Sequence, residues 1–297
     1  MTLRHFQIFV AVCDNKNMTA AANSMFMSQS AVSQAVSELE EYYNVRLFER
    51  LSKKLYLTQA GEKLLSYARH IIGLNAAAEN EMRALRKKGN IRIGASVTVG
   101  SCVLPKLVSD FRRESPGLTI EVTEDNTSKI EQMIINDKLD LGLVEGEITS
   151  SDIKSRSLTD DVLVLICAKD HPFAKRSRIE PKELEKENFI LREVGSGTRK
   201  TFENVMAENS LKWTATWTCN NADTIKMAVA EDLGISVISK RAVSKELEEG
   251  LLKAVNINGL IFIRQFKLIY HKNKYFTEAI KSFTELCLLK YKDLTEE

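Results

Sequence analysis

Two groups of residues have types and spacings suited to chemistry, and in both the chemistry is recognition, not bond breaking. The first is Gln29, Ser30, Ser33 and Gln34, with Ser37 further on. All are short or amide-bearing and none is negative. On one face of a helix such side chains reach base edges and phosphates in a DNA major groove. The second is a pair of glycine- and hydroxyl-rich stretches: Ser96, Thr98, Gly100 and Ser101, and then Gly195, Ser196, Gly197, Thr198 and Arg199. Asn221, just before another helix, extends the set. Glycines let backbone approach a ligand, and hydroxyls and free amides at helix starts donate to an anion. Taken singly, each of these residues reads equally well as a helix cap. As a set facing one cleft, they read as a seat for a small carboxylate, sulfate-like or phosphate-like group. Glu145 follows a strand and should face the same cleft, where it would favour a ligand with an amine or hydroxyl.

Catalytic patterns are lacking. The run G-S-G-T-R does not have the outer-glycine spacing of the G-x-S-x-G nucleophile elbow. The four histidines, His5, His70, His171 and His271, offer no visible base for a serine. There is no phosphate-loop lysine motif. The five cysteines, Cys13, Cys102, Cys167, Cys219 and Cys287, are scattered, with no C-x-x-C pair. A zinc site is not expected, and buried thiols in a reducing cytosol are the ordinary reading. We therefore expect no enzyme, no cofactor and no metal. The alternative is a switch by thiol oxidation at Cys102, placed near a helix start, which favours the thiolate.

The elements that must position the first group are two short helices and a corner. Residues 19–25 are alanine-rich, Phe26 and Met27 turn the chain, and Ser28 can cap a second helix. On that helix Val32, Ala35, Val36, Leu39 and Tyr43 recur at three- and four-residue steps and make one apolar face. This is the pattern of a helix-turn-helix. A strand at 47–50, a basic turn at 52–54 and a strand at 55–58 follow, which makes the domain a winged helix. We assign DNA contact to Thr19, Gln29, Ser30, Ser33, Gln34, Arg50, Lys53 and Lys54. The run from Leu3 to about Ile72 resembles the N-terminal domain of LysR-type transcriptional regulators. It carries F-x-x-F-V, A-A-x-S-x-x-x-S-Q-S-A-V-S-x-A-V-x-x-L-E, L-F-x-R and L-T-x-A-G. It departs at position 30, Ser where the family often has Pro, and at position 34, Gln where a basic residue is frequent.

After the wing, Thr58 can cap a long helix to about residue 87. Leu64, Ala68, Ile71, Asn75, Ala78, Met82 and Leu85 form a heptad seam along it. That seam packs either on the protein's own second domain or on a partner chain. The resemblance implies the second, a homodimer through the linker helix, and by extension a homotetramer. Lys87, Lys88, Gly89 and Asn90 break the helix.

From residue 90 onward strands and helices alternate, which signals α/β structure with crossover helices. Strands are expected at 91–96, 118–124, 139–144, 162–167, 189–191, 214–218, 235–239 and 261–270. Helices are expected at 102–114, 129–135, 198–209, 222–231 and 277–289. Two such units joined by crossing strands have the architecture of periplasmic binding proteins, similar to the effector domain of LysR-type regulators. The G-S-G-T-R run resembles a loop in a subset of these regulators that sense small anionic metabolites. The expected organisation is a winged helix-turn-helix at 1–58, a linker and dimerisation helix at 59–88, and a two-lobed effector-binding domain at 89–297. Lobe I takes about 89–161 and 267–297, and lobe II about 162–266.

The chain has 297 residues, 44% hydrophobic and 28% charged, as in a globular protein. Its net charge of +2 is too small to announce nucleic-acid binding by itself. Residues 6–13 are apolar but short and lack a cleavage motif, so they read as a first helix, not a signal peptide. No apolar run is long enough to span a membrane. The expected protein is cytoplasmic, with a double-stranded DNA operator and a small anionic effector as partners.

Overall fold

The computed structural model describes residues 1–51, 54–84 and 89–292. Ser52, Lys53, Leu85 and the expected helix break at residues 87 and 88 lie outside the described residues, as do the side chains of Arg50 and Lys54. The chain divides into two compact units, one built chiefly from Met1–Gly89 and one from most of the remainder.

The first unit begins with α1 (Leu3–Asn15), α2 (Met18–Ser24) and α3 (Gln29–Tyr43). Asn17 caps α2, accepting from the amides of Thr19 and Ala20 at 2.8 and 3.0 Å. Ala21 and Ala22 are fully buried, so no side-chain bulk separates the helices. Phe26 makes the corner in the left-handed region, at φ 52°. Ser28 caps α3 by accepting from Ala31 N at 3.2 Å. Val32, Ala35, Val36 and Leu39 are buried as their spacing requires. Tyr43 is not: it is 38% exposed, because α3 runs on beyond the core at that end.

The wing pairs β1 (Phe48–Leu51) with β2 (Lys54–Leu57) in antiparallel register, Phe48 opposite Leu57. Its feet are fixed by side chains. Glu40 on α3 accepts from the amides of Leu47 and Phe48 at 2.7 and 3.2 Å. Thr58 donates to Arg46 O at 2.7 Å and accepts from Gly61 N at 3.0 Å, capping α4 (Gln59–Ala84). A Cβ at Gly61 would lie 2.2 Å from the carbonyl oxygen of Leu47, which explains the glycine in L-T-x-A-G.

The seam on α4 divides. Leu64 and Ala68 pack with Phe6, Phe9, Leu39 and Leu47 in the unit's own core, so this half is not free to pair with another chain. Ile71 and Met82 are 41% and 69% exposed. With Tyr67 (42%) and Leu74 (48%) they form an exposed apolar stripe that shares Ile71 and Met82 with the expected seam. Asn75 donates to Glu79 at 2.9 Å along the helix.

In the second unit β3 (Asn90–Ser96), β4 (Thr119–Asp125) and β5 (Leu141–Glu145) are parallel. Two long strands, β6 (Ile153–Ala168) and β12 (Phe262–His271), then run antiparallel from Ile153↔His271 to Leu163↔Phe262, with a register shift at Phe266/Lys267. Among the described residues the sheet order is β4-β3-β5-β12-β6-β11-β7, with β10 also on β6. Here β7 is Arg178–Ile179, β10 is Ser236–Ser239 and β11 is Leu252–Ile257. A separate parallel pair joins β8 (Asn188–Arg192) to β9 (Thr214–Cys219). The crossing strands thus belong to both lobes.

The expected helix at 102–114 is two helices, α5 (Val97–Cys102) and α6 (Leu104–Glu114), with Pro105 in the first turn of the second. Proline lacks the amide that would continue α5. The helix after β4 is α7 (Thr127–Ile135), capped by Asn126: Lys129 N donates to Asn126 Oδ1 at 3.1 Å. The strand expected at 162–167 is the second half of β6; its first half exposes Lys154, Ser155, Arg156 and Ser157 and resembles a loop in composition. Elements not anticipated include β7, β11 and α10 (Lys240–Glu248). The remaining helices are α8 (Gly197–Glu208), α9 (Ala222–Ala230) and α11 (Glu278–Lys292). α11 closes lobe I, where Phe283 meets Phe111 of α6 edge-on at 5.1 Å.

Candidate functional site

In the first unit the start of α3 carries three of the residues expected to contact DNA. Gln29 and Ser30 are exposed and Ser33 half-buried. A broad concavity of about 970 Å3 has Thr19 and Gln29 on its lining, together with Lys16, Asn17 and Tyr56 of the wing. Lys16 and Tyr56 escaped the sequence reading; a lysine in the corner before α2 was the available signal. Gln34 is engaged within the helix, donating to Glu38 at 2.9 Å. Glu38 also bonds His5 at 2.8 Å, and these contacts hold its carboxyl below the usual range.

In the second unit the organising residue is Arg264 on β12, 5% exposed, which the sequence reading missed. Its Nε donates to Asp161 Oδ2 on β6 at 2.9 Å. One terminal nitrogen donates to Thr198 Oγ1 at 2.7 Å and the other to Thr98 Oγ1 at 3.3 Å. Glu145 Oε1 stands 3.5 Å away. Thr98 opens α5 in lobe I and Thr198 opens α8 in lobe II, so one guanidinium joins the two hydroxyl-rich stretches. A signal was present: along β12 Phe262, Arg264 and Phe266 alternate with exposed Ile263 and Gln265, so the arginine has the parity of the core.

The backbone closes in beside this network. Ser128 N donates to Gly195 O at 3.1 Å. A Cβ at Gly197 would lie 2.3 Å from Glu145 O. Gly146 has φ 89° and its added Cβ would be 3.3 Å from Gly197 Cα. Glycine at 146 and 197 therefore permits the loop contact.

Ser96 and Ser196 occupy N-cap positions of α5 and α8, yet neither hydroxyl caps its helix. Both hydroxyls, and Glu145 Oε2, are buried and unpartnered. An unpartnered buried polar group costs about 1–3 kcal/mol. Burial pushes the Glu145 carboxyl up, against the opposing fields of Arg264 and Arg192. Plain capping describes Asn221 instead, which accepts from Thr224 N at 2.8 Å. Ser101 is exposed and donates to Val97 O at 2.9 Å. Gly100 lies beside the Glu124 carboxylate. These three do not join the network. Arg199 pairs with Glu203 at 2.7 Å and stacks on Trp213, while Arg192 pairs with Glu193 at 2.8 Å.

Among the described residues no group of three or more His, Cys, Asp or Glu is placed to hold a metal ion. Burial lifts the thiols of Cys13 and Cys287 to about 12 and that of Cys167 to about 11. Cys102, the exposed cysteine, ends α5 two residues before the start of α6.

A helix-turn-helix with a wing, joined in one chain to a two-lobed α/β unit of the periplasmic-binding-protein type, is the build of a transcriptional regulator with an effector-binding domain. Residues 3–62 match the family of bacterial regulatory helix-turn-helix proteins of the lysR type, and residues 85–290 match the LysR substrate binding domain. The chain belongs to the LysR family of transcriptional regulators. It is 33% identical over 287 residues to the HTH-type transcriptional regulator YeiE of Escherichia coli K12, covering 97% of each chain. The regulatory domain of Synechocystis CcmR, solved in complex with 2-PG, superposes with TM-score 0.65 at 26% identity, over 70% of this chain and 99% of that one. The effector-binding domain of QuiR in complex with shikimate gives TM-score 0.64 at 26% identity, with the same coverage. Among the described residues no helix is long and apolar enough to cross a membrane.

Proposed function

We propose that this regulator binds a specific DNA operator and that a small anionic metabolite, held between the lobes of its second unit, sets its activity. Residues 1–58 bind DNA, 59–88 link and 89–297 sense. Thr19, Gln29, Ser30 and Ser33 read the major groove, with Gln34 beside them, and Arg50, Lys53 and Lys54 meet phosphates. The effector seat is Ser96, Thr98, Glu145, Ser196 and Thr198 around Arg264, with Gly195 and Gly197 giving backbone access. The observation that carries this reading is the single guanidinium bonded to Thr98 of one lobe and Thr198 of the other. An anion bound there favours one placement of the two lobes, in proportion to its differential affinity for the two placements. The solved complexes with 2-PG and shikimate support an anionic ligand for this class of domain. The protein works in the cytoplasm as a homo-oligomer, paired through the exposed stripe of α4 and assembled to a tetramer.

The test is calorimetry of small metabolic anions against the wild type and a Thr98→Val, Ser196→Ala double variant, with operator footprints taken alongside. The expected result is an anion that binds the wild type, alters its footprint and does neither with the variant. A variant that binds the anion normally refutes the seat.

A further inference from the structure

We propose that the ligand of this cleft is a hydroxy acid: a small molecule with an anionic group and, next to it, a hydroxyl that donates to Glu145. The inference rests on reading the second unit as anion-responsive, and it names the ligand's chemistry. Its basis is the set of hydrogen-bonding groups the protein leaves unused. Ser96 Oγ, Ser196 Oγ and Glu145 Oε2 are unpartnered, in residues 0%, 2% and 1% exposed. Buried polar groups nearly always have partners, so three around one network need a common explanation.

The three come from segments that each neighbour Arg264 or its partners. Ser96 ends β3, beside β5, and lies two residues before Thr98. Ser196 precedes Gly197, whose backbone touches Glu145, and lies two residues before Thr198. Glu145 ends β5 and faces Arg264. A serine hydroxyl can donate, whereas a carboxylate only accepts. A bare anion would satisfy both serines but would set like charge against Glu145. A ligand donor beside the anionic group removes that conflict. An ammonium would serve Glu145 but would lie close to Arg264 and within the field of Arg192. A hydroxyl supplies the proton without the charge. The first-turn amides of the twelve-residue helix α8 favour the anionic end.

The experiment is titration calorimetry on the full-length protein with matched pairs: lactate and propionate, malate and succinate, 3-phosphoglycerate and 3-phosphopropionate, and inorganic phosphate as the bare anion. The expected result is at least one hydroxy acid that binds about tenfold or more tightly than its deoxy partner, the worth of a hydrogen bond to a charged group. Glu145→Ala should bring the pair to within about twofold of each other by removing that bond, and Ser196→Ala should weaken both. Glu145→Gln, which keeps the shape and a carbonyl acceptor, should retain part of the preference and serves as the folding control in a thermal melt. Equal binding of hydroxy and deoxy partners to the wild type, or saturation by phosphate alone, overturns the inference while leaving an anion-responsive regulator. No binding by any probe, with an unresponsive footprint, overturns both.

Discussion

Gly197 and Glu145 are in backbone contact across the cleft: a methyl group on the first would fall 2.3 Å from the carbonyl oxygen of the second. That oxygen also accepts from Thr127 Oγ1 at 3.1 Å, so it is not free to retreat. Gly197→Ala should therefore part the loops at this point. We expect a loss of about 1–3 kcal/mol in stability, as for other overpacked sites, with a weaker response to effector. Chemical denaturation and calorimetry measure the two. Wild-type values in both would mean that the loops yield without cost.

The Glu145 carboxyl makes a prediction about pH. Burial, opposed by Arg264 and Arg192, makes it harder to ionise in the fold than in the unfolded chain. For an acid raised on folding, the native state holds the extra proton, so stability falls as pH rises from the ordinary carboxylate range through the raised value. Glu145→Gln removes the ionisable group and with it the cost of burying its charge. The variant should be more stable than wild type at neutral pH, and its advantage should shrink toward acid. Melting temperatures taken from about pH 4, near the ordinary carboxylate range, up to about pH 8 check the sign. A gap that grows on acidification would be the contrary result.

The stripe of Tyr67, Ile71, Leu74 and Met82 makes a prediction about assembly. Ile71→Asp places a charge on a surface already 41% exposed in the isolated chain. It should leave the fold intact, lower the sedimenting mass and weaken operator binding, since two half-sites need two linked readers. Leu64→Asp should behave differently and unfold the first unit, because Leu64 belongs to its own core. Equal masses for Ile71→Asp and wild type would exclude the stripe as the interface.

Thiol chemistry should be confined to one position. Cys13, Cys167 and Cys287 are buried with raised pKa values, and the thiolate is the nucleophile. Brief alkylation of the native protein should label Cys102 first, followed by the others only on unfolding. Mass spectrometry of the labelled peptides decides. An operator footprint unchanged by mild peroxide would weigh against a redox switch.

Much of this was legible from local pattern. Ser28 and the steps from Val32 to Leu39 specified α3, and the alternation of strand and helix specified the α/β class. What escaped depended on long-range partners. The first half of β6 is polar on its surface, and only its pairing with β12 makes it a strand. The half of the α4 seam at Leu64 and Ala68 is claimed by α1 and α3, which no periodicity reveals. Arg264 stands out in sequence only when the parity of Phe262 and Phe266 is set beside it. Ser96 and Ser196 carried the opposite ambiguity: their composition fits a cap, and only the geometry shows the hydroxyls uncommitted.

Arg264 lies on a strand that runs through both lobes, two residues before the register shift. On the proposed reading, effector choice and its transmission between the lobes therefore meet in one codon. A duplicated copy could drift toward a new inducer through the loops around residues 96–101 and 195–198 and keep its relay. On the same reading a lesion at 264 offers no such route, because loss of the original effector would carry with it the means of answering any other.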